Sequence, residues 1–135
     1  MKILLDTHIL IWFIREDKLL AKKAIEEITK PENEIYYSLI SVFEVEIKHM
    51  SHPNGISLTG EQLLNFCKEY EFTQVPLKPA HILEMKNLKR RANTPIHKDP
   101  FDRLLICQAI VEKMQFVTHD NRIAEYDCTN IYKIN

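Results

Sequence analysis

Strand-length apolar runs alternate with helical patterns along this chain of 135 residues, and two of those runs lead into an aspartate. Lys2-Ile3-Leu4-Leu5 runs into Asp6, and Phe116-Val117-Thr118-His119 runs into Asp120. The alternation restricts the fold more than any other feature. It predicts an α/β three-layer sandwich, with a small central parallel sheet flanked on both faces by helices. Strands are expected at residues 2–6, 34–38, 72–77, 115–118 and 130–134. Helices are expected at 7–14, 19–29, from a Ser41 cap onward, from a Thr59 cap onward, at 79–91 and at 100–114. Ser41 and Glu44 have capping-box spacing. Pro31, Asn33 and His52-Pro53-Asn54-Gly55 break the pattern. Pro76 argues that the third strand lies at an edge.

Residues 1–135 fit one domain with one core. Hydrophobic residues make up 45% and charged residues 27%, which excludes a disordered chain. The formal net charge is -1, so a nucleic-acid partner would need a local basic patch. No run is long enough for a signal peptide or a membrane span, and a cytoplasmic location is the default expectation. Cys67, Cys107 and Cys128 are widely spaced and suggest neither a disulfide framework nor a zinc knuckle. Cys67 and Cys107 fall in apolar helical patterns, where a thiol is buried and inert.

Parallel sheets bind ligands beyond the carboxyl ends of their strands, where the strand order reverses. Asp6 and Asp120 fall at such ends, and Glu44 and Asp102 fall in the first turns of helices that would start at the same edge. The fold therefore predicts that four carboxylates converge. Without a counterion they repel. Mg²⁺ or Mn²⁺ accepts carboxylate oxygens, retains waters and leaves room for a phosphate. Each acid also has a plainer role. Asp6, Asp99 and Asp120 can cap helices or turns, Glu44 can complete the Ser41 capping box, and Asp102 can favour a helix dipole. Thr7 and Thr118 adjoin Asp6 and Asp120, and their hydroxyls can orient a carboxylate from behind, or serve as helix cap and strand former. His97 and His119 flank acidic positions and can reach substrate or simply pack.

Four segments carry a resemblance: Leu4-Leu5-Asp6-Thr7-His8, Ser41-Val42-Phe43-Glu44-Val45, Asp99-Pro100-Phe101-Asp102-Arg103-Leu104-Leu105 and Val117-Thr118-His119-Asp120. In order and spacing the chain resembles the PIN-domain ribonucleases, and most of all the VapC-like toxins of type II toxin–antitoxin systems. The resemblance runs from end to end and implies a single PIN-like domain that cuts RNA hydrolytically with Mg²⁺ or Mn²⁺. It implies catalytic and metal-binding roles for Asp6, Glu44, Asp102 and Asp120, with Asp99 as an accessory acid that either binds the metal too or only supports the site. Where the family often has Trp, this chain has Phe43.

Cations near the acids would hold RNA phosphates. Arg103 and Lys98 are the leading candidates, followed by Lys48 and the run Lys86, Lys89, Arg90 and Arg91. Arg103 can equally pair with a site carboxylate. Residues 9–14 are apolar on every side of a helix, which implies burial plus an exposed remainder. The resemblance implies a homodimer and a cognate antitoxin, with Trp12 and Phe13 as contact anchors. Two other functions stay open: a non-catalytic RNA-binding or assembly module on the same scaffold, and a phosphohydrolase of small esters. The latter would favour an Asp-x-Asp pair, which Asp6-Thr7-His8 lacks.

Overall fold

The computed structural model describes residues 1–52, 54–55 and 58–134. Among these, five strands form one parallel sheet: β1 (Lys2–Leu5), β2 (Glu34–Ser38), β3 (Thr73–Val75), β4 (Gln115–Thr118) and β5 (Ile131–Lys133). Their order is β3-β2-β1-β4-β5. In register, Leu4 pairs with Tyr36 on one side and Phe116 on the other. The chain builds outward from β1 through β2 to β3, then returns to the far side of β1 for β4. The order thus reverses between β1 and β4, which is where such sheets bind ligands.

Alternation along the strands sends side chains to opposite faces. Ile3, Leu5 and Val117 enter one buried cluster with Ile9, Leu10, Ala24, Val45 and Leu63. Leu4 and Phe116 enter the other, with Leu105, Ile106, Ala109 and Ile123. The first face is covered by α1 (Thr7–Ile14), α2 (Lys22–Thr29), α3 (Leu39–Ser51) and α4 (Gly60–Glu69). The second is covered by α6 (Pro100–Val111), α7 (Asn121–Ala124) and the start of α3. A short helix α5 (Pro79–Glu84) packs beside α6. This is the expected three-layer sandwich.

Local chemistry moved several boundaries. The helix expected at 19–29 starts at Lys22, because Asp17 folds the preceding residues into a turn and accepts from the Leu19 amide. The helix expected at 79–91 ends at Glu84 and tightens into a 3₁₀ turn, Met85–Asn87. Beyond it, Arg90 bridges to Tyr126. Pro76 follows β3, which is an edge strand as expected.

The cap of α3 is a larger correction. Ser38, not Ser41, caps it, with Oγ accepting from the Ile40 amide at 2.9 Å. Ser41 is already helical, and its Oγ lies 2.8 Å from Thr7 Oγ1. The Ser41–Glu44 capping box does not form, and Glu44 stands in the second turn. The Thr59 cap does form, as a full capping box with Gln62. Pro53 of the expected break lies outside the described residues.

Candidate active site

Asp6 is the N-cap of α1 immediately after β1 and is only 3% exposed. Its Oδ1 accepts from the Thr7 amide at 2.8 Å, and its Oδ2 accepts from Thr118 Oγ1 at 2.7 Å. Burial pushes its pKa up to about 6 against the pull of these two bonds, with Glu44 and Asp120 adding to the rise. Thr118 also accepts from the Asp120 amide at 3.1 Å, so one buried hydroxyl links the ends of β1 and β4. Thr7 contributes its amide to Asp6, while its hydroxyl turns to Ser41.

Asp102 lies in the first turn of α6, capped by Asp99. Its pKa is pushed up to about 8, by burial first and then by Asp6, Asp99, Glu44 and Asp120. Charges from three other segments, and from Asp99 beside it, therefore act on one carboxyl. Glu44 is 4% exposed; Oε2 accepts from Lys48 Nζ at 2.9 Å, while Oε1 is buried without a partner. Asp120 behaves differently. Burial raises it, but hydrogen bonds and charge from Arg122 prevail and hold it below the usual carboxylate range. The Asp99 Oδ1 accepts from the amides of Phe101 and Asp102, so its helix-capping role is filled.

The donor set consists of hard carboxylate oxygens, with an unpartnered one at Glu44, and it suits Mg²⁺ or Mn²⁺ in kind. As the side chains stand, no three His, Cys, Asp or Glu among the described residues are grouped to hold an ion. Each acid instead has a neighbour: Asp6 its threonines, Glu44 Lys48, Asp120 Arg122, and Asp102 the buried His97, whose Nε2 lies 3.1 Å from Oδ2.

The basic candidates are dispersed. Lys98 is exposed in the loop before α6. The charge of Arg103 acts on Cys107 and Tyr126, whereas the strongest charges on Asp102 are the other acids. Arg90 and Arg91 are used to hold a loop: Arg90 pairs with Glu125 at 2.7 Å, and Arg91 donates to the Tyr126 carbonyl. Cys67 and Cys107 are buried with thiol pKa values near 12, as inert thiols should be.

Trp12 and Phe13 are half-buried and diverge. Trp12 lies 4.3 Å, ring to ring, from His119 beside Asp120. Phe13 meets Tyr70 at 5.1 Å and lines a groove of about 310 Å³ with Leu20 and Ile25. Sequence reasoning missed a second apolar stripe, Leu39, Phe43, Ile47 and Met50, which is exposed along α3. Its spacing of four, four and three residues was the available signal. It also missed the cation next to Asp120, Arg122, which lies two residues away in α7.

Fold and site together define an α/β protein with acids from separate segments gathered at the switch point of a parallel sheet. A family model for the PIN domain matches residues 3–127, and the chain belongs to that family, whose members are nucleases that generally use divalent metal ions. The structure is similar to one from Rickettsia felis, VapBC2 bound to a DNA fragment from their promoter, with a TM-score of 0.65, 16% identity and 98% of each chain covered. No curated protein matches the sequence.

Proposed function

We propose that this chain is a metal-dependent endoribonuclease of the VapC kind, the toxin of a toxin–antitoxin pair, folded as one PIN domain. The observation that carries the reading is the meeting of acids from four segments at the switch point of the sheet, Asp6 after β1, Glu44 on α3, Asp102 on α6 and Asp120 before α7, with Asp6 and Glu44 buried; their charges and burial push the Asp102 carboxyl up to about 8. Carboxyls perturbed together in this way cluster at functional sites.

In this reading Asp6, Glu44, Asp102 and Asp120 hold Mg²⁺ or Mn²⁺, and Asp99 supports them. A bound divalent ion would supply an activated water and neutralise charge on the phosphodiester. The chain's own residues do the rest. Thr118 and the Thr7 amide fix the Asp6 carboxylate. Glu44 presents its free Oε1. Lys48, Lys98, Arg103 and Arg122 supply positive charge for RNA phosphates. Among the described residues no helix is long and apolar enough to cross a membrane, in keeping with a cytoplasmic nuclease.

The partners proposed are RNA, a cognate antitoxin and a second copy of the chain. The likeness to VapBC2 supports an antitoxin, and Trp12, Phe13 and the α3 stripe offer apolar surface for protein contacts.

Asp6→Asn tests the activity. It should abolish metal-dependent cleavage of RNA while the fold persists; cleavage that survives both the substitution and EDTA would refute the assignment. The local engagement of each acid favours one rival, a non-catalytic RNA-binding or assembly module. Titration with metal followed by a cleavage assay separates them, since a module would retain RNA uncut.

A further inference from the structure

Residues 88–99 contain no helix and no strand of the sheet, yet they carry a histidine that is only 7% exposed. His97 is held from one side by Tyr126, itself 3% exposed. The rings meet edge to face at 5.6 Å, and the Tyr126 hydroxyl lies 3.1 Å from His97 Nδ1. Tyr126 is fixed in turn. The Arg90 guanidinium lies 4.5 Å above its ring, donates to the Pro95 carbonyl and pairs with Glu125. On the other side, His97 Nε2 lies 3.1 Å from Asp102 Oδ2. That nitrogen is buried, out of line for a hydrogen bond, and has no other partner. A carboxylate turns readily about its last torsion, so Asp102 can bring an oxygen into line with Nε2 at this distance.

We propose that His97 is a positioning residue for Asp102: Tyr126 donates its hydroxyl proton to Nδ1, which keeps the imidazole proton on Nε2, and Nε2–H restrains the Asp102 carboxylate, which leaves its other oxygen available to a divalent ion. The inference rests on the reading of Asp102 as a metal ligand. The hydroxyl also lies 3.4 Å from the His97 carbonyl, the longer of its two contacts. A neutral imidazole has one donor and one acceptor nitrogen, so the acceptor role of Nδ1 leaves Nε2 as the donor. Oriented in this way, a histidine fixes a neighbouring ligand without touching the ion.

The test has two arms. Long-range proton–nitrogen NMR on histidine-labelled protein at about pH 9, where Asp102 is a carboxylate, reads the tautomer without reference to activity. The expected result is Nε2–H in the wild type and a mixture of tautomers in Tyr126→Phe. Paramagnetic resonance of free Mn²⁺ reads affinity. His97→Ala should weaken Mn²⁺ binding by roughly 10- to 100-fold, and His97→Gln, which can still donate, should recover part of it. If His97→Ala does not fold, His97→Gln and Tyr126→Phe carry the comparison, each with a smaller loss. A proton on Nδ1 in the wild type overturns the proposal. So does Mn²⁺ affinity within about twofold of wild type in the folded variants while Asp102→Asn abolishes it. A wild-type protein that binds no Mn²⁺ and cuts no RNA would instead remove the nuclease reading on which the inference stands.

Discussion

Thr118 Oγ1 donates a 2.7 Å hydrogen bond to Asp6 Oδ2, joining residues 112 apart in sequence at the carboxyl ends of adjacent strands. Both groups are buried, so the bond has no water to replace it. Of the influences that lower the Asp6 pKa it is the largest. Thr118→Val keeps the shape and removes the donor. We expect a loss of about 1–3 kcal/mol in urea unfolding. The Asp6 pKa, already near 6, should rise further, so the acid limb of the cleavage pH profile should move to higher pH. Thr118→Ser should restore both quantities in large part. An unshifted acid limb in the valine variant would show that Asp6 does not govern it.

Raised carboxyl pKa values also set the stability of the metal-free protein. Asp6 and Asp102 stand at about 6 and 8 in the folded chain against 3.8 as the ordinary value. The native state thus holds protons that the unfolded chain releases, and stability falls as pH rises through this window. Below about pH 4 both states are protonated and the penalty vanishes; above about pH 8 it is complete. Melting curves in EDTA should show a lower Tm at pH 8.5 than at pH 5.5. Asp102→Asn removes the most strained charge and should stabilise the protein at pH 8.5 by about 1–3 kcal/mol, after allowance for partial solvent screening. A Tm that climbs between these pH values would contradict the clustering of the acids.

A control separates fold from chemistry. Thr59 caps α4 in a reciprocal box with Gln62, and its hydroxyl accepts from the Gln62 amide at 3.1 Å. Thr59→Ala should cost about 1 kcal/mol of stability. Cleavage per folded molecule should stay at the wild-type rate, because none of the site acids lies on α4. A fall in rate with the fold intact would mean that α4 reaches the acidic cluster.

How far these features could be read in advance follows from their range. β2 and β4 fall at the expected residues because apolar, β-branched and aromatic runs bounded by polar residues are local signals. Asp6 and Asp120 were legible for the same reason, as acids that end strands. The choice between Ser38 and Ser41 as cap was not local. Both are cap formers, and the contact of Ser41 with Thr7, from a helix 34 residues away, places Ser41 inside α3. The early end of α5 is likewise set at a distance. Arg90 leaves the helical pattern to reach Glu125 and Tyr126, and periodicity has no access to such partners. His97 resembled any histidine beside an acid until Tyr126 was brought against it.

Metal binding gives the last expectation, because it reverses the sign of the acid cluster. A divalent ion that binds only the folded chain stabilises it by about 2.7 kcal/mol at a concentration 100 times its Kd. Binding must displace protons from Asp6 and Asp102, so affinity rises with pH. The Tm increase on adding Mg²⁺ or Mn²⁺ should therefore be larger at pH 8 than at pH 5.5, opposite in slope to the melting curve in EDTA. Glu44→Gln should reduce the increase, since the unpartnered Oε1 is then a neutral amide group rather than part of a carboxylate. Asp102→Asn should nearly abolish it. Equal shifts at both pH values, or a full shift in Asp102→Asn, would mean that the ion binds elsewhere on the protein.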